Sequence, residues 1–436
     1  MIFLKKIIDI CTRVEGHGAV NILLENQNEV ISHVEFKIDA YRGFEKILLR
    51  KKLFDLPKIS SRICGLCHVS QTIASCKAIE SMYDVEISEL SILLRRLLMI
   101  GELIKSHSMH FFFQIFPDLL EIFEILKNSP SLYDLINFNP QLTTNIYELI
   151  NIGNALDNIF GGRDIHIIST VPGGVIYVPS RKNLLITRKY LQKVIMILEW
   201  IIHKFIELFS NKDPPKQFEL PNPTYYGLHN YGTYDRYTGT IGIKQDKSHI
   251  VNFIEKNYTK YFDKDPDLRG INFFNHKNIL VGPLARFNII ENYGIDEVYT
   301  YLDYFNNTWK SNILFANFIK LIEMFVETHY CLDLLDNLAI EKRETLPVLK
   351  SLKNSNGFGI VEAPRGILLH HYYLNERNSI EQVKLFIATE INIPIINEMI
   401  TQYAQKLYKK HDINVVKKKI QMIIRAFDPC ISCATH

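Results

Sequence analysis

The sequence predicts a mainly α-helical fold with a small N-terminal β-sheet, an α+β arrangement in which helices make the bulk. Three observations carry this. Residues 88–114, 183–211 and 310–340 are long runs with apolar residues nearly all round, the pattern of helices buried in a large body. Residues 19–40 hold two β-rich runs about the polar turn Glu25-Asn26-Gln27-Asn28, which reads as a hairpin. Apolar residues make up 47% of the 436-residue chain, enough for a sizeable core.

Along the chain, residues 69–82 read as a helix that starts directly after a cysteine pair, and Ser88 opens the helix of 88–114. Pro and Gly cluster at 172–179 and 214–243. The second stretch, with Asn222-Pro223-Thr224-Tyr225-Tyr226-Gly227, predicts a long ordered loop or a small β insert. Residues 396–411 and 414–427 are shorter helix candidates. No internal repeat is present. The expected organisation is one body over residues 1–436, with an α/β part over about 1–60 and a helical core over about 61–436.

Composition excludes several classes. A net charge of +3 gives no electrostatic case for nucleic acid or an anionic membrane. The apolar start Met1-Ile2-Phe3-Leu4 is too short for a signal peptide and meets Lys5-Lys6 at once. No apolar run approaches the ~20 residues of a membrane span. The best candidate, Val194 to Phe209, is broken by Glu199, His203, Lys204 and Glu207. Seven cysteines without a signal peptide argue against a disulfide framework and for the reducing cytoplasm. Cys11, Cys76 and Cys331 read as small buried hydrophobes or idle thiols.

The other four cysteines form two C-x-x-C pairs at opposite ends, Cys64 with Cys67 and Cys430 with Cys433. Chain ends usually fray, so a thiol pair near the terminus suggests a metal tie. Four thiolates select zinc, iron–sulfur, copper(I) or nickel. A structural zinc site is one reading, but zinc pairs typically lie ~15–20 residues apart, and these lie hundreds apart. A thioredoxin-like redox pair and two unrelated motifs are the other readings. Neither pair follows a βαβ pattern.

Eight motifs in order resemble the large subunit of a nickel–iron hydrogenase. They are Arg13-Val14-Glu15-Gly16-His17, Arg42-Gly43-Phe44-Glu45, Arg62-Ile63-Cys64-Gly65-Leu66-Cys67 and Ser106-His107 with His110-Phe111. Gly161-Gly162-Arg163 with His166 and Pro172-Gly173-Gly174 follows, then Val281-Gly282-Pro283-Leu284-Ala285-Arg286. Glu362-Ala363-Pro364-Arg365-Gly366 and Asp428-Pro429-Cys430 through Cys433 to His436 complete the set. His370-His371-Tyr372, Leu385 to Thr389 and Arg425-Ala426-Phe427-Asp428 resemble the soluble, cofactor-coupled branch.

The resemblance implies a large helical body and a nickel–iron centre whose iron carries carbonyl and cyanide ligands. Cys64 and Cys430 would bind nickel terminally, and Cys67 and Cys433 would bridge nickel and iron. Glu15 would take the proton from a terminal cysteine. Arg365 would lean over the open site as a fixed cation, oriented by Asp428 through a bidentate pair. Pro364 would shape the pocket for the diatomic ligands, and Thr389 would donate to a cyanide. His436, Glu45 and the carbonyl of Leu385 would hold magnesium or iron. His107, His110 and His166 read as core hydrogen-bonders. H2 is the implied substrate.

The implied partners are an iron–sulfur small subunit, with further electron-transfer subunits beyond it. A maturation endopeptidase joins them if an extension follows His436. One position departs from the pattern. Many members have a histidine four residues after the first bridging cysteine, where it can hydrogen-bond the sulfur; here it is Gln71. A similar glutamine occurs in hydrogen-sensing members, so a regulatory sensor with slow turnover is the alternative reading.

Overall fold

The long helices expected from the sequence are present, and local chemistry starts them. The computed structural model describes residues 5–25, 30–38, 41–127, 130–237, 240–245, 251–254 (backbone only), 278–336, 346, 347, 349 and 351–435. Helix His68–Tyr83 follows the first cysteine pair. Helix Glu89–Met109 is capped by Ser88, whose hydroxyl accepts the Ser91 N–H at 3.0 Å. It runs on through one π-helical turn, His110–Ile115, into helix Phe116–Ile122. Helix Arg181–Phe209 is capped by Ser180, and helix Ile413–Ala426 by Asp412. Helix Ala316–Asp336 begins six residues after the expected start at 310, following the short turn Ile313–Phe315; residues 337–345 lie outside the described residues.

Two helices depart from expectation. Helix Ala388–Tyr408 begins eight residues before the expected start at 396 and carries Pro394 inside it. Proline argues for a helix boundary because it removes an N–H and crowds the preceding turn. Here tertiary contacts hold the early turns: the Asn392 side chain accepts from Val281 N–H at 3.0 Å and donates to Val281 O at 3.2 Å. Helix Pro140–Gly161 was not expected, although Asn139 caps it and Pro140 sits where proline is favoured.

The N-terminal sheet is antiparallel, in the order Lys5–Cys11, Gly18–Glu25, Val30–Lys37. The expected hairpin is its second and third strands; residues 26–29 of the turn lie outside the described residues. The Pro/Gly stretch after 214 is the β insert, with strands Thr224–Asn230 and Thr240–Gln245 antiparallel and Ile279–Val281 parallel to the first.

A third sheet, Asn356–Ala363, Gly366–Leu374 and Ile380–Ile387, had no counterpart in the sequence reading. One face packs on helix His68–Tyr83. The other forms a core with the β insert through Phe358, Ile360, Ile367, Leu369, Tyr226, Leu228 and Ile241. With both faces buried, the alternation that marks a strand is lost. Its first turn has Pro364 and Arg365 as the two central residues between paired Ala363 and Gly366.

The third sheet approaches the helix at Gly359, where a Cβ would overlap the Ala74 carbonyl oxygen. Gly359→Ala is expected to destabilise the protein by about 1–3 kcal/mol through overpacking. An unchanged thermal midpoint would contradict this contact.

Candidate metal centre

The fold brings both cysteine pairs to one point. Cys64 is extended, just after the turn Ser61–Ile63, and Cys67 caps helix His68–Tyr83. Cys430 precedes the short helical turn Ile431–Ala434, which contains Cys433. The four Sγ atoms lie within 4.8 Å of one another and all four residues are buried. Cys67 and Cys433 sulfurs are 2.8 Å apart, Cys430 and Cys433 2.8 Å, and Cys64 and Cys430 3.5 Å. Burial pushes the Cys430 thiol well up and the Cys433 thiol to about 11. A bound cation reverses this, because metal coordination deprotonates a thiol.

A cavity of about 20 Å³ adjoins Cys67, Cys430 and Cys433, walled by Pro364, Arg365 and Thr389 among mostly apolar neighbours. The donor set therefore fits a soft-metal centre with small ligands beside it: four clustered sulfurs, a nearly dry pocket and a fixed cation at its edge.

Glu15 adjoins Cys430 and the turn after it. Its Oε2 is 3.1 Å from Cys430 Sγ and accepts the Ser432 N–H at 3.0 Å. Its carbonyl accepts the Ile431 N–H at 2.9 Å, so backbone and side chain both grip the C-terminal turn. Gly16, at φ +85°, makes this approach possible; a Cβ there would lie 3.0 Å from Ser432 N and Ile431 Cβ.

Arg365 is fixed from several sides. Nε donates to the Asp428 carbonyl and to Asp428 Oδ1, both at 3.0 Å, and Nη1 donates to Ser106 Oγ at 3.2 Å. Nη2 lies 3.0 Å from Asp428 Oδ1 without hydrogen-bond alignment, a buried nitrogen with no acceptor among the described residues. Burial opposes the guanidinium charge, but Asp428 and the sulfurs of Cys430, Cys64 and Cys67 outweigh it.

The second oxygen of Asp428 accepts from Lys320 Nζ at 2.7 Å. Burial works against the Asp428 carboxylate, yet Arg365, His110 and Lys320 hold its pKa well below the usual range. Burial lowers Lys320 to about 8, against the pull of Asp428. Glu362, the other possible partner of Arg365, pairs instead with Arg286 at 2.6 Å.

Thr389 accepts the Cys430 N–H at 2.8 Å and keeps its own proton for a further acceptor. Glu45 and Leu385 are adjacent: Glu45 Oε1 accepts the Leu385 N–H at 2.9 Å. His436 lies outside the described residues. The chain before it is anchored, since Thr435 is buried and its carbonyl accepts the Arg42 N–H at 2.6 Å.

The three histidines expected to be core hydrogen-bonders do bond protein groups. His107 faces Glu323 at 3.4 Å, His110 lies 2.8 Å from the Arg425 carbonyl, and His166 lies 2.8 Å from the Ser61 carbonyl. Burial lowers His107 and His110 to about 3, so both are neutral at pH 7. Sequence reading missed Lys320. A signal existed: Lys320, Glu323 and Glu327 recur at helical spacing in the mostly apolar first half of the helix, and all three are buried.

The chain is similar to known proteins. A family model described as nickel-dependent hydrogenase matches residues 42–218 and 244–436, and one described as HoxL-like matches residues 7–38. The beta subunit of the NAD-reducing hydrogenase HoxS of Cupriavidus necator is 28% identical, over 99% of this chain and 94% of its own. An F420-non-reducing hydrogenase subunit of Methanothermobacter marburgensis is 28% identical, over 98% and 93%. The alpha subunit of sulfhydrogenase 2 of Pyrococcus furiosus is 26% identical, over 98% of both. A solved NAD+-reducing [NiFe]-hydrogenase in the H2-reduced state superposes with a TM-score of 0.85 at 25% identity, over 100% of this chain and 99% of that one. The helical body with small antiparallel sheets is thus the fold of solved hydrogenase large subunits. Four buried sulfurs meeting from the two ends of the chain, and a family match over most of its length, establish that this chain belongs to the nickel-dependent hydrogenase family.

Proposed function

We propose that the chain is the catalytic large subunit of a nickel–iron hydrogenase, catalysing H2 ⇌ 2H+ + 2e−. The observation that carries this is the convergence of the sulfurs of Cys64, Cys67, Cys430 and Cys433 next to a cavity edged by Arg365. When bound, a nickel–iron group with carbonyl and cyanide ligands supplies open coordination for H2 and takes up its electrons.

The chain's residues divide the remaining work. Cys64, Cys67, Cys430 and Cys433 would hold the nickel–iron group through their sulfurs. Cys67, Cys430 and Cys433 line the small cavity, and Cys64 lines a wider depression. Glu15 receives the proton held at Cys430 Sγ across 3.1 Å and passes it outward from its half-buried position. Arg365 holds positive charge beside the reacting centre without titrating, and Asp428, itself braced by Lys320, fixes its orientation. Pro364 would wall the space for the diatomic ligands, and the Thr389 hydroxyl would donate to one of them; both residues line the cavity. Glu45, Leu385 and His436 would hold magnesium or iron; the contact of Glu45 with Leu385 supports this grouping.

Electrons leave through another chain. Apart from the four clustered cysteines only Cys11, Cys76 and Cys331 remain, all buried, and an iron–sulfur cluster generally takes four. An iron–sulfur small subunit is the required partner, with further electron-transfer subunits beyond it. The depression at Cys64 also includes Arg62, Gly65 and His166. Ile165 and Ile168, which flank His166 in the chain, are 49% and 46% exposed, a face suited to that partner. No described helix is long and apolar enough to cross a membrane, and the cytoplasm is the proposed location. The NAD-reducing, F420-non-reducing and sulfhydrogenase relatives favour the enzyme over a regulatory sensor.

Metal analysis with infrared spectroscopy of the purified complex tests this reading. One nickel per chain with carbonyl and cyanide bands is expected. Zinc alone, or a metal-loaded protein without those bands, would remove it.

A further inference from the structure

The first turn of helix His68–Tyr83 is held by a group that has no part in the chemistry proposed above. Cys67 occupies the N-cap of that helix, and its carbonyl accepts the Gln71 N–H at 3.0 Å. A side chain at this position ordinarily accepts the N–H of the second or third helical residue. The Cys67 side chain makes no such bond. Its sulfur lies 2.8 Å from that of Cys433 instead. The second and third helical residues are Val69 and Ser70, both buried. Their N–H groups are out of reach of bulk water, so each needs an acceptor from the protein.

Glu102 supplies those acceptors from helix Glu89–Met109. Its Oε1 accepts the Val69 N–H at 2.8 Å and the Ser70 N–H at 3.1 Å. Its Oε2 accepts the Ser70 hydroxyl and lies 3.3 Å from Ser70 N. Lys105, one turn further along, grips the same end. Its Nζ is 3.4 Å from His68 Nε2, and it donates to Asp157 Oδ2 at 2.5 Å and to the Asp164 carbonyl at 3.2 Å. Asp157 belongs to helix Pro140–Gly161. That helix comes close because Gly101 and Gly153 meet: a Cβ on Gly153 would lie 2.8 Å from the Gly101 carbonyl oxygen, and one on Gly101 3.1 Å from that of Gly153. Glu102 and Lys105 therefore stand on a helix packed tightly against its neighbour, and both are buried. A carboxyl group placed there without partners would be costly; its partners are the start of the helix that carries Cys67.

We propose that Glu102 is a positioning residue that caps this helix from across the interface, in place of Cys67, and so holds the Cys67 backbone still while its sulfur is left for the metal. This rests on the reading of Cys67 as a metal ligand. One sulfur cannot serve both tasks: a cap made within the segment would commit Cys67 Sγ to Val69 or Ser70. With the cap supplied by Glu102, the helix fixes the direction of Cys67 and the sulfur stays with the other three.

Amide hydrogen exchange over residues 67–71, metal content and infrared spectra of the purified complex test the proposal. Glu102→Leu fills similar space without an acceptor. It is expected to speed exchange at Val69 and Ser70 by about tenfold or more, the scale of one lost buried hydrogen bond. Its carbonyl band should broaden or split as Cys67 loses its single position, and its nickel content should fall. Glu102→Gln keeps one oxygen for both N–H groups and an amide nitrogen for the Ser70 hydroxyl. It is expected to restore slow exchange, a single band and full nickel. Gly359→Ala strains the same helix further along, at Ala74, and should change neither the band nor the exchange of 67–71; it separates loss of the cap from general destabilisation. Unchanged exchange or an unchanged band in Glu102→Leu would overturn the proposal. So would Glu102→Gln behaving as Glu102→Leu does, or the same broadening in Gly359→Ala. If Glu102→Leu does not assemble, Glu102→Asp decides in its place, since it keeps the acid and withdraws it by one carbon: faster exchange with a broadened band supports the cap, and no change overturns it. A carbonyl band missing from the unaltered protein sinks the nickel–iron reading instead, and exchange with metal content then judges the cap alone.

Discussion

Glu15→Gln is expected to leave the metal centre built and to slow proton transfer by about 10²–10⁴-fold, the usual worth of a positioned acid–base group. The geometry separates the two effects. The Glu15 carbonyl bonds Ile431 N–H through the backbone, which the substitution does not touch. A glutamine oxygen can still accept the Ser432 N–H that Oε2 now takes at 3.0 Å. What disappears is a group able to bind and release a proton 3.1 Å from Cys430 Sγ. Nickel content and infrared bands should match the unaltered protein, while H/D exchange and H2 oxidation fall together. Unchanged exchange would refute the proton role of Glu15, and lost nickel would show that the carboxylate is structural.

Arg365→Lys is expected to lower turnover by about 10²–10³-fold, the cost of removing one preorganised electrostatic donor. The positive charge survives the substitution, but its geometry does not. The guanidinium reaches the Asp428 carbonyl, the Asp428 carboxylate and Ser106 at once. A lysine ammonium is a single flexible point charge that cannot reproduce that fork. Asp428 keeps Lys320 as a partner, so the carboxylate remains paired and the fold should hold. Turnover measured per bound nickel separates a misplaced cation from a lost centre. More than half of the normal turnover would show that charge alone suffices and that the fork is incidental.

Both substitutions concern residues legible in the chain. Glu15, Arg365 and the four cysteines sit inside short motifs whose residue types carry their chemistry. Lys320 carries no motif role, and His370 enters only through the His370-His371-Tyr372 resemblance. Lys320 belongs to a helix that reads as core, and only the fold sets its ammonium 2.7 Å from Asp428 and 2.8 Å from His110. For His370 that motif names no partner. Its bond to Gln71 spans 299 positions and follows from the packing of the third sheet on helix His68–Tyr83. That sheet was itself hidden, because a strand buried on both faces shows no alternation.

The sequence by itself determined which residues could bind metal, where most long helices begin, and which motifs the chain shares with a known family. Capping and apolar periodicity act over a few residues, so they can be read locally. Only the tertiary structure decided that sulfurs 366 positions apart come within 3.5 Å. It also decided which buried charges pair, Arg365 with Asp428 and Glu362 with Arg286. The reason is desolvation: an ion or thiol removed from water is stabilised only by the partner set beside it, and long-range packing chooses that partner.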